Sequence, residues 1–369
     1  MYAFLSHTSA LDALRTIEGG GAGAPLWPAE PRELPRHRNT VTTQRMFKEL
    51  AAECDLASYG ITRVPVDLLV PKASQRSRGA SARFHAWKGD IPNGSMIRLE
   101  ESLFVSTPPF ILLQMAGWHT RIQPTEEAFV KELRATREAH AMANAEGPIA
   151  YDDPFAWEQS SRLISLALVA MELMGTYRMA FPGGSTRYQQ PPLLTATDMR
   201  DFLARVPRAY GQNRLDIVMG LAIPHSASPM ETALALMLGL PEAYGGYGLP
   251  QPQLNRSCPV ANHERLWDGG EAITPDLLWE DAKLVIEYDS DEMHGSAGPH
   301  KLAGDATRAN VLSALGYTVL RMTTLNIQSQ ADVERLATQV AGLLGRSLPE
   351  PSEELRIRRS KLHTMLMRQ

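Results

Sequence analysis

The chain has 369 residues, 44% apolar and 21% charged, with 37 Lys and Arg against 41 Asp and Glu for a formal net charge of −4. At about this length a chain buries roughly 75% of the surface its unfolded form exposes, so stability requires neither disulfides nor a structural metal. The two cysteines, Cys54 and Cys258, match no zinc spacing, which excludes a disulfide scaffold and makes a reduced, cytoplasmic compartment the expectation, while the charge balance excludes a uniformly basic nucleic-acid binder.

The opening MYAFLSHTSA lacks the basic region and apolar core of a signal peptide. Ser6 to Arg15 reads as a helix with hydroxyl capping candidates, ended by Gly19 to Gly21 and followed by a Pro-rich stretch from Pro25 to Pro35. From about Thr40 to Ala116 short β-rich runs predominate, at Val66 to Val70, Met96 to Leu99 and Leu103 to Val105. Residues 1–120 are therefore expected to form an N-terminal α+β recognition or regulatory module.

Residues 121–225 are expected to form a helical connector. Leu163, Leu166, Ala167, Ala170, Met171 and Met174 recur at spacings of three and four, and a second helix spans Leu193 to Val206 with Thr195 or Thr197 as its cap. The run Leu163 to Met174 is interrupted by Ser165 and Glu172 and is shorter than the roughly 20 residues of a membrane span, so no membrane partner is expected.

Residues 226–345 have the clearest pattern. It consists of a helix from Pro229 to Leu238, strands at Gln253 to Cys258, Ile273 to Trp279 and Lys283 to Asp289, a helix from Leu302 to Leu315 stopped by Gly316, a strand from Tyr317 to Met322 and a helix from Asp332 to Leu344. This order gives a mixed sheet flanked by helices, and the whole chain is α/β (α+β overall) in class. Residues 346–369 form a basic tail.

Within this segment the acids cluster. Leu284, Ile286 and Tyr288 occupy one face of a strand of period two, so Glu287 and Asp289 share the other. A turn at Asp281-Ala282 sets Asp276 opposite Glu287, with Cβ atoms about 5 Å apart. Such acids either line a solvated edge, as most do, or are compensated by a divalent cation. Their place inside apolar strands favours the cation, and oxygen-only donors favour Mg²⁺ or Mn²⁺, with His294 the nearby softer donor. Such an ion activates water and stabilises charge developing on a phosphodiester.

Pro275-Asp276, Glu287-Tyr288-Asp289, His294, Asp305-Ala-Thr-Arg308 and Gly316-Tyr-Thr-Val-Leu-Arg321, in that order, resemble the very-short-patch-repair-like branch of the PD-(D/E)XK endonuclease superfamily, over about Ser228 to Leu344. The resemblance implies a restriction-endonuclease-like fold and a hydrolase acting on DNA. It implies Asp276 and Glu287 as metal ligands and Glu231 as a further acidic member of the site. Asp289 stands where the commonest form of the superfamily has a lysine, which leaves His294, Lys283 and Lys301 as candidates for the base. Ser290 follows where the branch usually has glycine. The catalytic set expected is Asp276, Glu287, Asp289, Glu231 and His294.

Several of these residues keep an alternative. Ser228-Pro-Met-Glu231 is also a capping box, Asp305 and Arg308 also suit a surface ion pair on one helical face, and Arg321 suits a phosphate contact or a carboxylate partner. Lys72 to Lys88 carries Arg76, Arg78 and Arg83 interleaved with Phe84, His85 and Trp87 and no acid, which suits nucleic-acid binding or a solvated hairpin rim. The same choice holds for Arg356 to Lys361. The candidates for DNA contact are Arg308, Arg321, Lys301, Arg76, Arg78 and Arg83. The stretch from Val64 to Ala116 is similar to the middle region of AbiEi-type antitoxins and related defence regulators, which implies a toxin or other defence component as a partner. No GK[ST] follows the Gly19 to Gly23 run, so nucleotide hydrolysis is not expected. The expected function is a metal-dependent DNA endonuclease in phage defence or repair, with a non-catalytic DNA-binding antitoxin-like regulator as the alternative and a homodimer left open.

Overall fold

The structure, a computed structural model, describes residues 1–16, 39–87, 91–117, 154–179, 185–206, 209–260, 271–289 and 299–367, without the side chains of 154–156 and 299–306. The chain divides into two compact units, Met1–Ile122 with Arg178–Val218 and Gln123–Tyr177 with Met219–Gln369. Both combine helices with mixed, open sheets, so the chain is α/β in class. The division separates the two helices expected in the 121–225 connector, one falling in each unit.

The first unit contains β1 (Ala3–Leu5), α1 (His7–Thr16), α2 (Gln44–Glu53), β2 (Val66–Val70), β3 (Ser77–Arg78), β4 (Ala82–Ala86), β5 (Met96–Arg98), β6 (Leu103–Ser106) and α3 (Pro108–Gly117), with a further helix from later in the chain. Its sheet runs β3-β4-β2-β1-β6-β5, with β1 antiparallel to β2 and parallel to β6. The central strand β1 has only three residues, all buried, too few to show a period. Two helices stand in the region expected to be β-rich. α2 is capped by Thr43, which accepts the Met46 N–H, and buries only Phe47 and Leu50. α3 begins with Pro108-Pro109, suited to a first turn, and is buried on every side, so its apolar run carries no amphipathic signal.

In chain order the next helices are α4 (Pro154–Leu173) of the second unit and α5 (Ala196–Arg205) of the first, where Thr195 and Asp198 form a capping box. α6 (Gln212–Leu221) spans the boundary between the units. The second unit continues with α7 (Pro229–Gly239), β7 (Gln253–Leu254), β8 (Cys258–Pro259), β9 (Ala272–Ile273), β10 (Leu277–Trp279), β11 (Leu284–Asp289), α8 (Pro299–Ala314), β12 (Thr318–Thr323), α9 (Thr324–Gln328), α10 (Gln330–Leu343) and α11 (Glu353–Leu366). Its main sheet is β12-β11-β10-β7, antiparallel except for the parallel pair β11 and β12 joined through α8. Gly316, at φ 85, ends α8 in the left-handed region, with Tyr317 N–H returning to the Leu312 carbonyl.

Two expected strands are each split. Gln253 to Cys258 becomes β7 and β8, and Ile273 to Trp279 becomes β9 and β10, because β9 pairs with β8 while β10 pairs with β7 and β11. The break falls at Thr274 to Asp276. On the α8 side of the sheet, Leu278, Val285, Ile273, Val311, Leu312 and Tyr317 form a core. α11 is integrated into the second unit: Leu362 and Leu366 are buried, and Arg359, 5% exposed, stacks over Tyr247 at 4.2 Å and pairs with Glu334 at 3.6 Å. Arg356 and Arg358 pair with Glu350 and Glu354 at 2.5 Å, and Lys361 lies over Trp157. The basic run is thus engaged by its own unit.

Candidate functional site

The β10–β11 hairpin pairs Leu277 with Ile286, Leu278 with Val285 and Trp279 with Leu284. Its turn is closed by the Lys283 N–H on the Glu280 carbonyl at 3.1 Å, with Lys283 itself left-handed at φ 50. Continued by one pair, this register sets Asp276 opposite Glu287, the juxtaposition expected from the spacing. Asp276 sits at the break before β10. Its Oδ2 accepts the Tyr288 N–H at 2.6 Å, and its carbonyl accepts the Asn255 N–H at 3.0 Å.

Glu287 shares a face with Val285, the face covered by α8. On α8, Arg308 precedes Val311 and Leu312 by three and four residues, so the residues that seat the helix also bring its guanidinium over the sheet. Arg308 Nε and Nη2 donate to Glu287 Oε1 at 3.3 and 3.2 Å, and Nη2 reaches Oε2 at 3.1 Å. Nη2 also donates to the Thr274 carbonyl. Arg321, exposed on β12, is the cross-strand neighbour of Glu287 and favours its charged form, while Asp289 lies opposite Thr323 and opposes it.

Glu231 completes the acidic group. The Ser228 half of the capping box is present, its hydroxyl accepting the Glu231 N–H at 3.1 Å. The Glu231 carboxylate, however, takes the Ala227 N–H at 3.0 Å and the Asn255 side-chain amide at 2.7 Å. The same amide nitrogen donates to the His225 carbonyl at 2.9 Å. Asn255 and His225 are both left-handed, at φ 48 and 70. The sequence carries no signal for Asn255, which lies inside the single strand expected from Gln253 to Cys258.

Burial dominates the electrostatics. It raises the Asp276 carboxyl to about 8, helped by the charges of Glu231 and Glu287 and opposed by the Tyr288 N–H and Arg308. Burial also lifts Glu231, against the Ala227, Asn255 and Ser228 donors, and Glu287, against Arg308. Arg308 thus pairs with Glu287 alone of the three acids, and burial beside Glu231 and Glu287 pushes Asp276 toward its protonated form. In its chemistry, oxygen-only, the donor set suits a hard cation. Asp276 Oδ1 has no hydrogen-bond partner among the described residues, whereas both Glu287 oxygens contact Arg308. No three acids, histidines or cysteines among the described residues are grouped closely enough to hold a metal.

The remaining candidates divide. His294 lies outside the described residues, as do the side chains of Lys301 and Asp305. Lys283 sits at the hairpin turn, where its Nζ donates to Tyr317 Oη at 3.3 Å and lies 4.4 Å from that ring's centre. Four positions before Glu287 in the chain, it stands about 13 Å along the sheet from it. Arg76, Arg78 and Arg83 belong to the first unit, where Arg78 and Arg83 are cross-strand neighbours and Arg83 pairs with Asp67 at 3.5 Å. Asp67 also bonds His85 at 2.8 Å, and His85 stacks on the buried His7 with ring centres 3.9 Å apart.

No family model matches the chain, and no solved structure matches it. It is similar to two proteins of Mycobacterium tuberculosis, the uncharacterized protein Rv2248 of strain H37Rv and the uncharacterized protein MT2308 of strain CDC 1551. Each is 35% identical over 101 residues, covering 27% of this chain and 33% of the relative, so the match spans about a third of the length of these relatives. No helix among the described residues is long and apolar enough to cross a membrane.

Proposed function

We propose that the chain is a Mg²⁺- or Mn²⁺-dependent endonuclease that hydrolyses DNA phosphodiester bonds, acting in defence against foreign DNA or in repair. The observation that carries this reading is the set of three acids, Asp276, Glu287 and Glu231, brought together with raised proton affinity and with Arg308 paired to Glu287. Asp276 and Glu231 would hold the metal, with Glu287 as the third acid of the set. When bound, the metal supplies an activated water and stabilises charge on the phosphoryl oxygens. Arg321, exposed beside Glu287, offers positive charge to a phosphate. Asp276 can hold or release a proton near neutral pH, and His294 and Lys301 remain candidates for the base. The test is to incubate the purified chain with supercoiled plasmid and Mg²⁺ or Mn²⁺. Nicking abolished by EDTA and by Glu231→Gln is expected, since glutamine keeps an oxygen for the Ala227 N–H but carries no charge; full cleavage by that variant contradicts the role of Glu231.

One observation favours a second reading, a DNA-binding regulator using the same fold without catalysis: Arg308 already neutralises Glu287 from within the chain. Under that reading the chain retards duplex DNA in a gel shift at moderate salt and shows no metal-dependent turnover.

A further inference from the structure

We propose that Arg308 exchanges partners: a phosphodiester of the substrate takes its guanidinium from Glu287, and the released Glu287 joins Asp276 and Glu231 in holding the cation. The inference rests on the metal site proposed above. It adds that substrate and metal bind cooperatively, with Arg308 as the link.

Three observations carry it. First, Arg308 spans both oxygens of Glu287, at 3.2 and 3.1 Å from Nη2, so a cation and this arginine compete for the same lone pairs. Secondly, the pair is accessible: the Arg308 side chain is 31% exposed and that of Glu287 15%, so an incoming phosphate can reach the guanidinium without unfolding α8. Thirdly, the Thr274 carbonyl gives Arg308 a second anchor at the rim of the site, which keeps the guanidinium beside the acids after Glu287 lets go. Phosphate and carboxylate present the same paired-oxygen geometry to a guanidinium, which makes the exchange chemically even. Without substrate, the arginine keeps Glu287 from repelling Asp276 unshielded.

The experiment titrates Mn²⁺ into the full chain and follows the free-ion electron paramagnetic resonance signal, with and without a phosphorothioate duplex that resists hydrolysis. Wild type is expected to bind Mn²⁺ at least roughly fivefold more tightly with the duplex. Arg308→Gln is expected to bind Mn²⁺ more tightly than wild type without any duplex and to gain less from it. Glu287→Gln in the Arg308→Gln background removes that gain, which ties it to Glu287. Arg308→Lys keeps a charge but cannot span both oxygens, falls between the two, and decides the matter if the glutamine variant does not fold. Equal or weaker Mn²⁺ binding by the arginine variants, with wild type binding measurably, overturns the exchange alone. No Mn²⁺ binding by any variant, with or without duplex, overturns the metal site as well.

Discussion

Asn255 donates its side-chain amide to the Glu231 carboxylate at 2.7 Å while its backbone N–H donates to the Asp276 carbonyl at 3.0 Å, so one residue joins the start of α7 to the strand break before β10. Its left-handed backbone at φ 48 suits asparagine and glycine better than other residues. Asn255→Asp preserves shape and backbone preference but sets a second carboxyl against buried Glu231. It should lower stability by about 1–3 kcal/mol at pH 7 and recover as both acids protonate. Asn255→Gly should cost less and show little pH dependence. Thermal melts from pH 4 to 8 check this, and identical curves for wild type and Asn255→Asp would contradict the placement.

Asp276 makes stability fall with rising pH. Its carboxyl titrates at about 8 in the folded chain and near 3.8 in the unfolded one, so between these values the folded state binds more protons. The stability contributed is full below the unfolded value and is lost as pH rises through the folded one. Asp276→Asn retains an oxygen for the Tyr288 N–H and removes the titration. It should therefore gain on wild type between pH 4 and 8, by on the order of a few kcal/mol at the upper end. Denaturant unfolding at several pH values measures the difference, and a constant offset would sink the assignment.

His7 gives the first unit the opposite dependence. It is fully buried, its Nε2 has no hydrogen-bond partner among the described residues, and burial, reinforced by His85 and Arg83, holds it well below its usual 6.5. The unfolded chain takes up the proton first, so stability is full above about pH 6.5 and falls as pH drops toward the folded value. Asn at position 7 tolerates the left-handed φ of 48 and cannot charge. His7→Asn should flatten the loss between pH 6.5 and 5, followed by near-ultraviolet circular dichroism. A wild-type chain indifferent to that range would refute the neutral, buried imidazole.

Gly316 sets where α8 ends and hence where Arg308 sits. At φ 85, with open space around its Cα, a side chain meets no atoms but a strained backbone. Gly316→Ala should cost about 1 kcal/mol and Gly316→Asn less, because asparagine visits this region more readily. A calorimetric comparison of the two variants settles the order.

Much of the second unit was legible because its signals are local. The two-residue period of Leu284 to Asp289 and the Asp281-Ala282 turn fixed the facing of Asp276 and Glu287, and Ser228-Pro229 and Gly316 marked the start of α7 and the end of α8. Contacts distant in sequence were not legible. Nothing local says that Arg308 closes on Glu287 rather than on Asp305, because that depends on how Val311 and Leu312 seat α8 on the sheet. Nor does it reveal that Asn255 reaches Glu231, or that Lys283 goes to Tyr317. In the first unit, β1 is too short for a period and α3 too uniformly apolar, so the central strand and a core helix carried no pattern.

The most direct measurement is the rate of plasmid nicking by wild type and Asp276→Asn under Mg²⁺ or Mn²⁺ at pH 8, where the variant is expected to be the better folded of the two. Metal-dependent nicking by wild type that falls roughly a hundredfold or more in Asp276→Asn is the predicted result. No nicking by wild type with either ion, or equal rates for the two proteins, would contradict a hydrolytic site built on Asp276.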